Sequence, residues 1–157
     1  MILRGPFFQR NNNEDQPYYS LLFIAPSCDL KCGSCCHNSQ LMKKNKIKNW
    51  TKKEIKQRYE VDFFEGITIG GLEITCSNYI WLKELCQIIE VIQIPNVTIY
   101  TREELTHPKI KYLIDNINTN LYIKTGMYIP NMQKKTVTIG DWEIELASDN
   151  QNFQKVK

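Results

Sequence analysis

Four of the chain's six cysteines fall within nine consecutive positions, in the segment CDLKCGSCCHN at 28–38. Thiols in such a cluster form disulfides, bind zinc or hold an iron–sulfur cluster. The segment MILRGPFFQRNNNEDQ lacks the apolar core of a signal peptide, so we expect a cytoplasmic, reducing setting. Disulfides are rare in that compartment, which favours metal ligands or redox groups.

The spacing of the cysteines favours iron–sulfur over zinc. Cys28, Cys32 and Cys35 form a C-x3-C-x2-C pattern. A structural zinc site usually takes two pairs of ligands from separate segments, and the distant Cys76 and Cys86 do not form a second pair of that kind. Three thiolates on one loop can instead hold three irons of a [4Fe–4S] cluster and leave the fourth iron open for chemistry. Zinc and an incidental set of core cysteines remain as alternatives.

The neighbouring Cys36 and His37 are expected to lie outside the ligand set. Successive side chains of an extended loop point apart, so Cys36 is poorly placed to join Cys35 on one cluster. We expect Cys36, Cys76 and Cys86 to be small buried apolar residues, as free cysteines often are. His37 is expected to be a loop or core histidine hydrogen-bonded to the backbone.

The composition is that of one soluble globular domain spanning residues 1–157, with 42% hydrophobic and 24% charged residues. The net charge of +3 is too small to indicate a nucleic-acid partner, and the basic segment KKNKIK at 43–48 is expected to be a solvated loop. No apolar run reaches the length of about 18 residues that a membrane-spanning helix needs.

The elements that would position the cysteine loop alternate between strands and helices. Four short apolar runs predict strands, at 18–26, 66–71, 96–101 and 120–126. Between them we predict helices from a Thr51–Glu54 capping box to about Tyr59, from Ser77 or Asn78 to Pro95, and over 107–117. This alternation predicts an open, mostly parallel α/β sheet or a partial barrel of the TIM type. Gly140-Asp141 predicts a C-terminal β-hairpin.

Three segments of chemical interest directly follow predicted strands. They are the cysteine loop, Gly70-Gly71 and Thr101-Arg102. Ligands bind at the carboxyl ends of the strands in such sheets, so we expect the three segments to meet at one site.

The cysteine loop, followed one βαβ unit later by Gly70-Gly71-Leu72-Glu73, resembles the radical S-adenosyl-L-methionine (SAM) enzymes. The resemblance implies a [4Fe–4S] cluster held by Cys28, Cys32 and Cys35. It also implies that SAM occupies the fourth iron and that the Gly-Gly-Glu segment contacts the SAM amino group. On the residues alone, the alternative is that the glycines form a strand-end turn, with Glu73 an exposed residue on the approach to the next helix.

A closer resemblance is to the small activating proteins of anaerobic ribonucleotide reductase, over about residues 18 to 153. It is carried by VTIYT (97–101), YIKTGMYI (122–129) and ELASDNQNF (145–153). It implies an anaerobic activating enzyme, a large glycyl radical enzyme as partner, an electron donor such as flavodoxin, and a contact from Thr101 near the SAM ribose. Alternatives are a radical SAM enzyme acting on a small molecule or peptide, and a non-catalytic zinc or iron–sulfur module.

The chain differs from the family pattern at three positions. Ser34 stands where an aromatic side chain of the family commonly packs near the adenine. Without that side chain, the contact expected from this position is one from the backbone. Glu73 is shifted by one position from the common Gly-Gly-Glu-Pro form. Arg102 follows Thr101 where relatives often carry a glycine.

Overall fold

The structure, a computed structural model, describes residues 1–4, 18–28 and 47–157. The predicted ligands Cys32 and Cys35, the candidate contact Ser34, and the neighbouring Cys36 and His37 lie outside the described residues. In chain order the described elements are β1 (Ile2–Arg4), β2 (Ser20–Phe23), β3 (Ile47–Asn49), α1 (Lys52–Val61), β4 (Gly66–Ile69), a 3-10 helix (Ile74–Cys76), α2 (Tyr79–Ile92), β5 (Asn96–Tyr100), α3 (Pro108–Asn116), β6 (Asn120–Thr125), β7 (Lys135–Ile139), β8 (Trp142–Leu146) and β9 (Asn152–Lys155).

The described part of the chain forms a mixed α/β fold around an open five-stranded sheet with the order β2-β4-β5-β6-β9. The first four strands are parallel, and β9 is antiparallel to β6. The predicted alternation of strands and helices is therefore confirmed. In the described ranges the sheet has β2 and β9 as its edges and does not close into a barrel. The predicted hairpin is also confirmed, since β7 and β8 pair around Gly140-Asp141.

The helices pack on one face of the sheet because alternate strand residues are apolar there. Ile67, Ile69, Val97 and Ile99 share a buried cluster with side chains of all three helices. Asn78 is the N-cap of α2, and its side chain accepts a hydrogen bond from the Trp81 amide. Of the two predicted caps, Ser77 and Asn78, the structure therefore uses Asn78.

The opposite face of the sheet is covered in part by the β7–β8 hairpin. Ile144 and Leu146 of β8 pack with Tyr18, Tyr122 and Phe153 in a second buried cluster. Tyr18 also hydrogen-bonds Thr98 through their hydroxyl groups at 2.6 Å. Burial raises the pKa of the Tyr18 hydroxyl, as expected for a phenol that stays neutral in a dry environment.

Two features were not predicted from the sequence. Ile47 and Lys48, expected in a solvated loop, lie in β3, which pairs antiparallel with β1. The backbone pairs with a distant segment although the β3 side chains are exposed, so no apolar pattern marks the strand. The other feature is β9, a short strand that adds to the sheet edge beside β6.

The end of α1 carries an unfavourable residue. Phe63 has φ of +54°, in the left-handed region where helices usually place glycine, and its side chain is 87% exposed. We expect Phe63→Gly to raise the free energy of unfolding by about 1 kcal/mol, because a Cβ is strained in this conformation. Urea unfolding measures the change as a higher midpoint at unchanged slope.

The matched control for this substitution is Val61→Gly, which also replaces an exposed apolar residue but at the last residue of α1. It is expected to lower the free energy of unfolding by about 0.5 kcal/mol, since glycine is less favourable than valine in a helix. A Phe63→Gly variant that is destabilised like Val61→Gly contradicts the strain interpretation.

Candidate functional site

The carboxyl ends of four parallel strands lie along one edge of the sheet, and the predicted site segments follow them. Cys28 lies five residues beyond the end of β2, Gly70 follows β4, and Thr101 follows β5. Gly126 occupies the corresponding position after β6. The parallel register thus places the described site residues at one edge.

Gly70 and Gly71 form a tight turn at this edge. The Gly70 amide donates to the carbonyl of Phe23 at the end of β2, at 3.0 Å. A Cβ on Gly70 would lie only 3.1 Å from the side chain of Tyr100 on β5. Gly71 has φ of +79°, which side chains rarely tolerate. The positive φ of Gly71 favours glycine, and a side chain at Gly70 would press on the Tyr100 ring, so the turn brings backbone close to the neighbouring strand end.

Glu73 is buried beyond this turn, with 8% of its surface exposed. Its Oε1 accepts hydrogen bonds from the Thr75 amide at 3.2 Å, the Thr75 hydroxyl at 3.1 Å and the Thr101 hydroxyl at 2.6 Å. Its Oε2 accepts from the Arg102 amide at 2.9 Å. The alternative expectation of an exposed Glu73 is therefore wrong, because the carboxylate satisfies donors from two loops.

These four residues, Glu73, Thr75, Thr101 and Arg102, form what we term the Glu73 clasp. The Thr101 hydroxyl donates to Glu73 and accepts from the Glu103 amide at 3.1 Å. The Thr101 amide donates to the carbonyl of Lys124 on β6 at 2.9 Å. The clasp therefore joins the loops after β4 and β5, and the Thr101 backbone extends the connection to β6.

The acceptor capacity of the clasp limits what it can offer a ligand. A carboxylate oxygen accepts about two hydrogen bonds, and Oε1 of Glu73 already has three donors. Among residues 1–4, 18–28 and 47–157, Oε2 has one donor, the Arg102 amide, which leaves room for a second. Of the two predicted cofactor contacts, Glu73 accepts from the Thr101 hydroxyl, and its other hydrogen bonds come from Thr75 and Arg102.

The described cysteines differ in their surroundings. Cys28 is half-buried against the helix-side core. Cys86 is buried in α2, where burial raises the pKa of its thiol to about 11, so the prediction of a small apolar residue is confirmed there. Cys76 is only half-buried. No group of three His, Cys, Asp or Glu side chains suited to a metal occurs in the described ranges, which omit Cys32 and Cys35.

Lys109 is a structural residue of this edge that sequence reasoning missed. Its ammonium group donates to the carbonyls of Thr75 at 2.6 Å and Ser77 at 2.7 Å. It thereby ties α3 to the loop that carries Glu73. His107 caps the same helix, with Nδ1 accepting from the Lys109 amide at 3.2 Å. No local pattern indicates the Lys109 contacts, because they join residues more than 30 positions apart.

Two buried polar atoms at this edge have no hydrogen-bond partner among the described residues. They are Oγ of Ser77, on a residue 2% exposed, and Oε1 of Gln151, on a residue 6% exposed. An unsatisfied buried polar atom costs about 1–3 kcal/mol. Such atoms call for a specific explanation, and a ligand or ordered water is the common one.

A scan against protein-family models and searches of curated proteins and of solved structures returned no match to this chain. Among the described helices, none combines the length and apolar character required to cross a membrane.

Proposed function

We propose that the chain is a [4Fe–4S]- and SAM-dependent radical enzyme that generates a glycyl radical on a large partner such as anaerobic ribonucleotide reductase. The supporting observation is that Cys28, the Gly70-Gly71 turn and the Glu73 clasp lie at the carboxyl edge of one parallel sheet. In this proposal the open sheet corresponds to a partial barrel of the radical SAM type.

The residues at this edge fit the proposed cofactors. Cys28 offers a thiol five residues beyond the end of β2, and thiolates are the usual ligands of iron–sulfur clusters. Cys32 and Cys35 complete the set on the same loop, and Ser34 offers a backbone contact. The unsatisfied atoms of Ser77 and Gln151 are consistent with a polar ligand at the same edge. When bound and reduced, the cluster would supply the electron that cleaves SAM into methionine and a hydrogen-abstracting 5′-deoxyadenosyl radical.

The chain's own residues bind and orient the ligand. The Gly70-Gly71 turn lets backbone approach the methionine end of SAM without side-chain interference. Glu73 retains one acceptor position on Oε2 for the amino group, and the clasp holds Thr101 near the ribose. Glu73, Thr75 and Thr101 of the clasp are buried, so they keep this arrangement rigid and partly exclude water.

The proposed partner follows from the resemblance of residues 18–153 to the small activating proteins of anaerobic ribonucleotide reductase. The sheet of the described residues is open, with β2 and β9 as its edges. A large glycyl radical enzyme would cover the open side, and an electron donor such as flavodoxin would reduce the cluster. The proposed setting is an anaerobic cytoplasm, because exposed iron–sulfur clusters are sensitive to oxygen.

The test is anaerobic reconstitution with iron and sulfide, followed by incubation with dithionite and SAM. We expect about four irons per chain, from the cluster formula, and formation of 5′-deoxyadenosine. Zinc at one per chain without iron would contradict the proposal and support a zinc module. Adding an anaerobic ribonucleotide reductase should produce a glycyl radical signal in electron paramagnetic resonance. SAM cleavage without that signal would favour a small-molecule or peptide substrate.

A further inference from the structure

Gln151 has a buried side chain with one unused acceptor. Its amide donates to the Ser148 carbonyl at 3.0 Å, and its own carbonyl accepts from Lys135 at 3.5 Å. The side-chain Nε2 donates to the Gly126 carbonyl at 3.3 Å. This last contact assigns the amide orientation, because only the nitrogen can donate. Within the described residues, Oε1 is the polar atom of Gln151 left without a partner.

The surroundings hold this side chain at the carboxyl end of β6. Gly126 has φ of +93°, and a Cβ there would lie 2.7 Å from the Asn150 carbonyl. The Asn150 side chain donates to the Met127 carbonyl at 2.8 Å. The turn before β9 and the segment after β6 are thus tied together, so Gln151 cannot easily turn Oε1 toward solvent.

Gln151 lies at the carboxyl edge of the sheet beside β6, where the end of an extended ligand remote from β4 would reach it. Strands β4, β5 and β6 are consecutive neighbours, so the segments after β4 and β6 lie about 10 Å apart, or two strand spacings. In the proposed arrangement the methionine end of SAM lies after β4 and the ribose after β5. The adenine then extends toward β6.

We infer that Oε1 of Gln151 accepts a hydrogen bond from the exocyclic amino group of the SAM adenine. The inference rests on the proposed function. SAM carries two kinds of N–H donor, the methionine ammonium and the adenine amine, besides the ribose hydroxyls. The proposed arrangement assigns the ammonium to the segment after β4 and the ribose hydroxyls to the segment after β5. The amide oxygen of Gln151 can only accept a hydrogen bond. The amino group of adenine can donate one, whereas an oxo group at the same position of another base cannot.

The test compares S-adenosylhomocysteine with S-inosylhomocysteine, in which an oxo group replaces the amine, by calorimetric titration of the cluster-reconstituted protein. We expect the wild type to bind the adenosyl compound about tenfold more tightly, because the oxo compound leaves Oε1 facing another acceptor. Gln151→Met should reduce this preference to about twofold or less while binding the inosyl compound as before. The matched control Gln154→Met, on β9, should keep the wild-type preference.

The outcomes separate this inference from the proposed function. If the wild type binds neither compound, both the SAM site and the inference are overturned. If it binds both equally, or if Gln151→Met keeps the preference, the inference alone is overturned and an ordered water accounts for Oε1. Should Gln151→Met fail to fold, Gln151→Asn withdraws the acceptor by one methylene and is expected to lose the preference in the same way.

Discussion

Cys28→Ala is expected to abolish the iron–sulfur cluster and reduce 5′-deoxyadenosine formation to background. Cys28 is the described member of the predicted C-x3-C-x2-C set, and it follows the carboxyl end of β2 by five residues. With one thiolate missing, a second iron of the cube lacks a protein ligand and the cluster is not retained. Iron content, visible absorption and 5′-deoxyadenosine yield, all measured anaerobically, check the result. Cys32→Ala and Cys35→Ala should behave alike.

Cys86→Ala is the matched control, because Cys86 is buried in α2 with a neutral thiol. It should keep the cluster and the cleavage activity, at a small cost in stability. Cys36→Ala and Cys76→Ala are expected to keep both as well. Loss of the cluster in Cys36→Ala together with its retention in Cys35→Ala would show that the ligand assignment is wrong.

Glu73→Ala is expected to lower the free energy of unfolding by about 3 kcal/mol, since it leaves several buried donors without an acceptor. Those donors are the hydroxyl of Thr101, the amide and hydroxyl of Thr75, and the amide of Arg102. Glu73→Gln should lower the free energy of unfolding by about 1 kcal/mol. Its amide oxygen can keep the hydrogen bonds of one carboxylate oxygen, whereas its amide nitrogen, itself a donor, faces the donor that bonded the other oxygen. Urea unfolding at constant slope measures both changes.

The control for the Glu73 variants is Glu60→Ala, which removes an exposed carboxylate paired with Lys56 on α1. Glu60→Ala should change the free energy of unfolding by no more than about 0.5 kcal/mol. A Glu73→Ala protein that is as stable as the wild type, yet fails to bind SAM, would mean that Glu73 contacts the ligand and does not hold the loops together. Thr101→Val combined with Glu73→Gln should be less than additive, since both remove the same 2.6 Å bond.

Much of the secondary structure could be predicted because it depends on short-range patterns. The Thr51–Glu54 capping box starts α1 as expected, with both reciprocal hydrogen bonds formed. The apolar run GITI became the fully buried β4, and it ended at the two glycines. Each of these signals lies within a few residues along the chain, where sequence spacing and spatial distance correspond.

The candidate site could be predicted only in outline. Alternating strands and helices dictate that loops after parallel strands share one edge, so the common location of Cys28, Gly70 and Thr101 followed from the sequence. The sequence did not indicate that Glu73 would be buried against Thr101, which lies 28 residues away. Hydrogen-bond partners at that separation depend on how neighbouring strands end, and this is a tertiary property.

The sequence by itself determined the parallel strands, the helices between them, the C-terminal hairpin and the sheet edge at which the candidate site residues lie. Only the tertiary structure decided that Glu73 joins the loops after β4 and β5 by hydrogen bonds and that β9 extends the sheet. It also decided that Gln151 is buried with an acceptor that no described residue uses. The physical reason is that periodicity and capping act between near neighbours in the chain. Burial and hydrogen-bond satisfaction are set by segments that meet only after folding.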